Sequence, residues 1–277
     1  MLRPLEWIVR LVLIGAMFVY FGVGSLVLSY ALLPLARRGV TDERERVRRA
    51  QSLISRGFKQ FHALMHHLRL MRYDPREVSL SLPEGPCVVV ANHPTLVDVT
   101  ALGAALGGAC TVVRSDLFEN PFVGRILRAC WHIDAGEGAA MSGAAVIQGA
   151  IERIEAGFRV LIFPEGTRSP PGGVRRFRRG AFEVACRAGV PVALVLVTCT
   201  PPTLMKGVPW YALPKRLVRL AVEPIATLRP EDFDGDARRL AKAAQEMYRA
   251  RLDAWRAAHP EDVPAAPSDA PKEGVEA

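Results

Sequence analysis

The sequence predicts an α/β fold: a mostly parallel central sheet flanked by helices, preceded by an N-terminal membrane helix segment and an amphipathic helix. Three observations predict it. Short apolar runs that read as buried strands alternate with helical stretches from residue 76 onward. An apolar run from Leu11 to Leu33 carries no charge. Hydrophobic residues make up 50% of the 277, enough to bury a sizeable core.

The N-terminal run, "LVLIGAMFVYFGVGSLVLSYALL", exceeds the ~7–15 apolar residues of a signal-peptide core and reaches the roughly 20 that cross a bilayer. It ends in "PLARR", so residues 1–40 read as a retained membrane anchor. Gly15, Gly22, Gly24 and Pro34 leave a re-entrant or hairpin course open beside a single span. Arg37, Arg38, Arg44, Arg46, Arg48 and Arg49 follow the run, against Arg3 and Arg10 before it. That asymmetry predicts the cell membrane, with the rest of the chain on the cytoplasmic side.

Residues 41–75 read as a basic amphipathic helix. Val47, Ala50, Ile54, Phe58, Phe61, Met65, Leu68 and Met71 recur at three- and four-residue steps, and Arg48, Ser52, Arg56, Lys59, His66 and Arg69 take the other face. A periodic face does not say whether it lies on anionic lipid or on the main domain. His62 and His66 stand four apart, but "HALMH" lacks the glutamate of a zinc-binding HExxH, and no metal is expected.

Residues 76–259 form the main domain. "CVVVA", "ACTVVR", "FRVLIF", "VPVALVLVTC" and "RLVRLAVEPI" predict strands. "LVDVTALGAAL", "FVGRILRAC", "MSGAAVIQGAIERIEAG" and "RRGAFEVACRAG" predict the intervening helices, the third ending at Gly157. A last helix over 236–258 turns Leu240, Ala244, Met247, Leu252 and Trp255 inward. Residues 260–277, rich in Pro, Ala and acids, read as a disordered tail.

The net charge of +8 suits a polyanion or an anionic membrane surface. Nucleic acid is not an expected partner, because the charge accompanies a membrane segment and no base-stacking motif. Cys87, Cys110, Cys130, Cys186 and Cys199 include no CxxC pair, so they read as reduced residues rather than a metal or redox site.

Two motifs stand at strand ends, where parallel sheets gather their ligands. In "NHPTLVD", Pro94 fits the first position of a helix, leaving His93 at its entrance and Asp98 on its first turn. Two readings stand. Asp98 can orient the imidazole so that its second nitrogen serves as a base. Alternatively, Asp98 favours a helix start and His93 caps it. No GxSxG or placed nucleophile occurs, so a base here would activate a hydroxyl of a substrate. In "FPEGTRS", Gly166 permits close backbone approach, Arg168 offers a fork for phosphate, and Glu165 could bind a polyol hydroxyl. Downstream, Arg175 and Arg176 of "RRFRRG" read as a solvated loop or a lipid contact rather than a substrate contact.

Asn92, His93 and Asp98 as NHxxxxD, with Phe163 to Ser169 as FPEGTRS, resemble the glycerolipid acyltransferases of the lysophosphatidate (1-acylglycerol-3-phosphate) acyltransferase type. The resemblance covers about residues 80–225. It implies that 76–259 is a catalytic domain transferring a fatty acyl group from acyl-CoA or acyl carrier protein to a hydroxyl of a lysophospholipid, without metal, cofactor or covalent intermediate. It implies His93 as base and Asp98 as its orienting acid, with Asn92, Glu165, Gly166, Thr167 and Arg168 binding substrate. An acyl thioester hydrolase and an acyltransferase for a specialised acceptor remain alternatives, as does a non-catalytic lipid-binding protein. Two departures stand out: Ala135 in "WHIDAGEG" replaces the arginine usual there, and "VPVALVLV" lacks the second proline. Arg114, Arg125 and Arg128 are candidates to replace the missing cation.

Overall fold

The computed structural model describes residues 4–75, 81–136, 142–170, 172–205, 207–214 and 216–260. The tail 261–277 lies outside the described residues. The helices are α1 (Pro4–Val27), α2 (Leu33–Arg37), α3 (Glu43–His67), α4 (Asp98–Leu106), α5 (Gly124–Ala129), α6 (Ser142–Glu155), α7 (Gly180–Ala188) and α8 (Ala237–Ala258). The strands are β1 (Met71–Asp74), β2 (Val88–Ala91), β3 (Cys110–Val113), β4 (Ile133–Asp134), β5 (Val160–Ile162), β6 (Val192–Thr200) and β7 (Val218–Leu228).

These strands form one sheet of order β1-β7-β6-β2-β5-β3-β4. Every neighbouring pair is parallel except β6 and β7, which run antiparallel. That reversal follows from the connection: the described residues of loop 201–217 include no helix to return the chain to the starting edge. β2 is buried at every position, as a central parallel strand covered on both faces must be.

The two faces have different covers. One packs α6, α7 and α8 around Ile154, Phe182, Leu240 and Tyr248. The other packs α3 and α4 around Phe61, Met65, Leu102 and Leu106, with Leu13, Met17 and Phe21 of α1 against them. The periodic face of α3 is thus buried on the domain, and Arg48, Arg56, Lys59 and His66 face solvent. His62 is buried, with Nε2 3.1 Å from Thr100 Oγ1, while His66 is exposed.

Helix α3 is shorter than the apolar period predicts. Arg69 turns left-handed at φ 54°, and Leu70 N–H bonds Met65 O at 2.9 Å, closing a Schellman-type end. Met71 then enters β1, because pairing with the free edge of β7 satisfies its backbone. In α8 the inward position falls to Tyr248 rather than Met247, which is 39% exposed. The Tyr248 hydroxyl donates toward Val90 O at 2.8 Å and also reaches Val195 O, clasping β2 to β6.

The N-terminal helix is continuous. α1, a wider π-type turn over Leu28–Leu32 and α2 make one apolar helix from Leu5 to Arg37, long enough to cross a membrane by length and composition. Its stripe of Leu13, Met17, Phe21, Ser25, Ser29 and Leu33, at four-residue steps, lies against the domain, and Ser29 Oγ donates to Phe122 O at 3.2 Å. Val12, Val19, Val23 and Val27 face outward. The helix neither folds back on itself nor leaves the domain over that stretch.

Candidate active site

β2 and β5 are neighbours, with Val90 level with Ile162, so the turns that follow them stand side by side. The chain leaves β2 for α4 on one face of the sheet and leaves β5 for α7 on the other. Adjacent strands whose helices depart to opposite faces open a crevice at their carboxyl ends, the usual ligand position in such sheets.

His93 and Asp98 meet there. Nδ1 of His93 lies 2.8 Å from Oδ2 of Asp98, whose side chain is 0% exposed, while the His93 side chain is 21% exposed. The same oxygen accepts the Thr95 N–H at 2.9 Å. The helix begins at Asp98, not at Pro94 as the proline suggests, because the carboxylate draws both groups into a tight turn ahead of α4. Thr95 Oγ1 and Leu96 N bond the carbonyls of Thr203 and Leu204 and hold that turn away from helical geometry. An ionised Asp98 accepts only, so Nδ1 carries the proton and Nε2 keeps its lone pair. Burial pushes the Asp98 carboxyl up to about 6, and the His93 and Thr95 bonds counteract part of that rise.

The second turn closes over the first. The Phe163 ring stacks on His93 with centroids 4.5 Å apart. Ser169 N donates to His93 O at 2.8 Å, and His93 N donates to Ser169 Oγ at 2.9 Å. Gly166 sits at φ +68°, a region only glycine enters freely, and the Arg178 guanidinium lies where a side chain would be, 2.9 Å from an added Cβ. Arg168 Nη1 donates to Leu204 O at 3.2 Å, and its charge reaches Asp98.

Two of the predicted substrate contacts hold partners within the protein. Asn92 is buried; its amide donates to Val197 O at 2.9 Å and accepts Val197 N–H at 2.7 Å, tying the end of β2 to β6. Glu165 is buried beneath the turn, accepting from Ser169 Oγ and from Arg175 N at 2.7 Å. Burial pushes its carboxyl above the usual range. Gly166, Thr167 and Arg168 stay at the surface of the turn. The residues that sequence reasoning missed are Phe163 and Ser169, quoted inside the motif without a role. Among the three candidate replacement cations, Arg114 grips Asp116 at 2.9 and 3.0 Å, Arg128 pairs with Glu119 at 2.9 Å, and Arg125 lies over the Tyr30 ring. Cys199 is buried near Asp98, and its thiol is pushed up to about 12, so no thiolate nucleophile is offered there.

The sequence profile of the family described as Acyltransferase matches residues 65–198, just under half of the chain. The human 1-acyl-sn-glycerol-3-phosphate acyltransferase beta is 32% identical over 144 residues, covering 51% of this chain and 49% of its own. The 1-acyl-sn-glycerol-3-phosphate acyltransferase of Pseudomonas aeruginosa is 33% identical over 124 residues, covering 44% and 48%. The chain thus spans about half the length of these relatives. The crystal structure of the 1-acyl-sn-glycerophosphate (LPA) acyltransferase, PlsC, from Thermotoga maritima superposes with a TM-score of 0.73 at 20% identity, covering 91% of this chain and 98% of that one. That likeness is one of fold.

Proposed function

We propose, on the premise that residues 65–198 are a domain of the acyltransferase family, that this chain transfers a fatty acyl group from an acyl thioester to a hydroxyl of a lysophospholipid such as lysophosphatidate. The observation that carries the reading is the His93–Asp98 pair: a buried carboxylate 2.8 Å from one nitrogen of a ring that is 21% exposed.

The acceptor hydroxyl lies at Nε2 of His93. Nε2 takes its proton as the oxygen attacks the thioester carbonyl. Asp98 stabilises the imidazolium so formed. The tetrahedral adduct collapses, the carbon–sulfur bond breaks, and the thiolate recovers the proton from His93. The step balances with no metal, organic cofactor or covalent enzyme intermediate. Gly166, Thr167 and Arg168 receive the acceptor head group, with the Arg168 fork on its phosphate. Asn92 and Glu165 hold the two turns in place, and Phe163 fixes the plane of the imidazole.

Acyl-CoA and acyl carrier protein are the two donor classes that fit the reading. Ala135 in place of the usual arginine favours a second reading, an acceptor other than lysophosphatidate. The outward face of α1 supports attachment to a membrane, with the domain lying against the lipid surface on its cytoplasmic side.

Purified protein in detergent, incubated with labelled acyl-CoA or acyl carrier protein and a panel of lysolipids, tests the proposal by product mass. An acylated lysolipid is expected. Release of free acid at one rate with and without acceptor would identify a thioester hydrolase instead.

A further inference from the structure

The turn after β5 has a second side. Beyond Glu165 and Thr167 it borders a cleft of about 990 Å³, into which Arg175, Arg176, Arg178, Arg179, Arg238 and Lys242 converge from the approach to α7 and from α8. Glu165 is the one carboxylate among its described lining residues, and both its oxygens already accept hydrogen bonds.

Of the cations in this cleft, Lys242 pairs with Glu246 at 3.9 Å. Arg114, Arg128, Arg187 and Arg239 each hold a carboxylate. Among the described residues, Arg176, Arg178, Arg179 and Arg238 have none within ion-pair distance, whereas their neighbour Arg187 on α7 is paired. Like charges gathered in one recess repel each other and focus a positive potential, offset in part by Glu165 and by Asp236 beside Arg238. An anion bearing several charges relieves that strain, and guanidinium forks match phosphate best.

Size and side narrow the ligand. A cleft of this volume takes a molecule of drug size, larger than a glycerophosphate head group. It is concave, unlike the surface a folded acidic protein needs. It opens on the α7–α8 face of the sheet, opposite the face that carries α1, so its ligand arrives from water rather than from lipid. Through Arg178, which lies on Gly166, the cleft abuts the turn that covers His93.

We propose that this cleft binds the phosphorylated nucleotide end of a coenzyme A thioester, so that the acyl donor reaches His93 from the face opposite the apolar helix. The assignment of donor rests on the acyl-transfer reading above; the binding of a nucleotide polyphosphate does not.

The experiment uses the full-length protein in detergent, adenosine 3′,5′-bisphosphate as probe, and the double variant Arg176→Glu, Arg238→Glu. Both positions are exposed, so folding should persist, which a thermal melt checks. The probe is expected to bind wild type, to weaken with salt, and to compete with acyl-CoA. In the variant its affinity should fall at least tenfold and the KM for acyl-CoA should rise about tenfold or more, with the acceptor KM within twofold. A lysine pair at the same positions should restore part of both. Absent probe binding, an acceptor KM that rises in place of the donor KM, or an effect confined to acyl carrier protein as donor would each overturn the proposal. Should the protein transfer no acyl group at all, probe binding still reads the cleft directly, so the two failures are told apart.

Discussion

The two flanks of the His93 crevice are built from opposite chemistry. On one side, α1 presents Val12, Val19, Val23 and Val27 outward, and loop 201–217 adds Trp210 and Tyr211, 45% and 53% exposed. Trp210 packs edge-on against Phe18 at 5.6 Å, and Arg10 Nη1 donates to Pro214 O at 3.0 Å, so helix and loop form one apolar surface. On the other side, the recess between the β5 turn and α8 is cationic and largely unpaired. Each flank touches the site directly: Leu204 bonds Leu96 N and Arg168 Nη1, and Arg178 covers Gly166. The proposed reaction joins a lipid-soluble acceptor to a water-soluble donor, and the two flanks differ in polarity in the sense that this proposal needs.

The largest effect tests the seam between them. His93→Ala should lower turnover by about 10²–10⁴-fold, the usual worth of a general base, while liposome binding and probe binding stay intact. Turnover near wild type would leave two flanks with no chemistry between them.

Asp98→Asn follows in size, because the ring loses its orienting charge; a loss of about 10²-fold or more is expected. The pH profile sharpens this. With the carboxyl raised to about 6, kcat/KM of wild type should fall as pH drops through that value, since protonation removes both the partner charge and the free base. Stability should move the other way. A folded value above the unfolded 3.8 means that the buried charge weakens the fold as pH rises from about 4 to about 6, and Asp98→Asn should abolish that slope in a melting series.

Arg168→Ala should raise the acceptor KM about tenfold with the donor KM unchanged, assigning this side chain to the lipid entrance. Equal shifts in both constants would blur the division. Replacing Val19 and Val23 by glutamate should cut co-sedimentation with liposomes by about tenfold or more, with detergent activity retained. Trp210→Ala should weaken the same binding only two- to tenfold, as expected for one aromatic contact; no change would remove the loop from the apolar flank.

Much of the fold was legible. Gly157 and Gly189 end α6 and α7 as their left-handed preference dictates; β2 and β5 fall inside the runs "CVVVA" and "FRVLIF", and β6 overlaps "VPVALVLVTC" and runs one residue further to Thr200. The errors have a common origin. Leu68 and Met71 continue the helical period of α3, yet Met71 joins the sheet because β7 offers it a hydrogen-bonding edge. Pro94 fits a helix start, yet contacts from residues 203 and 204 delay the helix to Asp98. Met247 and Tyr248 are both apolar enough to face inward, and the choice falls to the ring whose hydroxyl finds carbonyls in the core.

By itself the sequence determined which residues are candidates for a proton transfer and which segments are helix, strand or long apolar run. Those properties follow from local periodicity, glycine freedom and the residue types a proton transfer requires. Only the tertiary structure decided that β2 and β5 are neighbours, that Asn92 and Glu165 brace the backbone beneath the site, and that α1 and the arginine cleft lie on opposite faces. The reason is physical: strand order and crossover direction set which distant residues meet, and a polar group's role depends on which partners remain once the chain has closed around it.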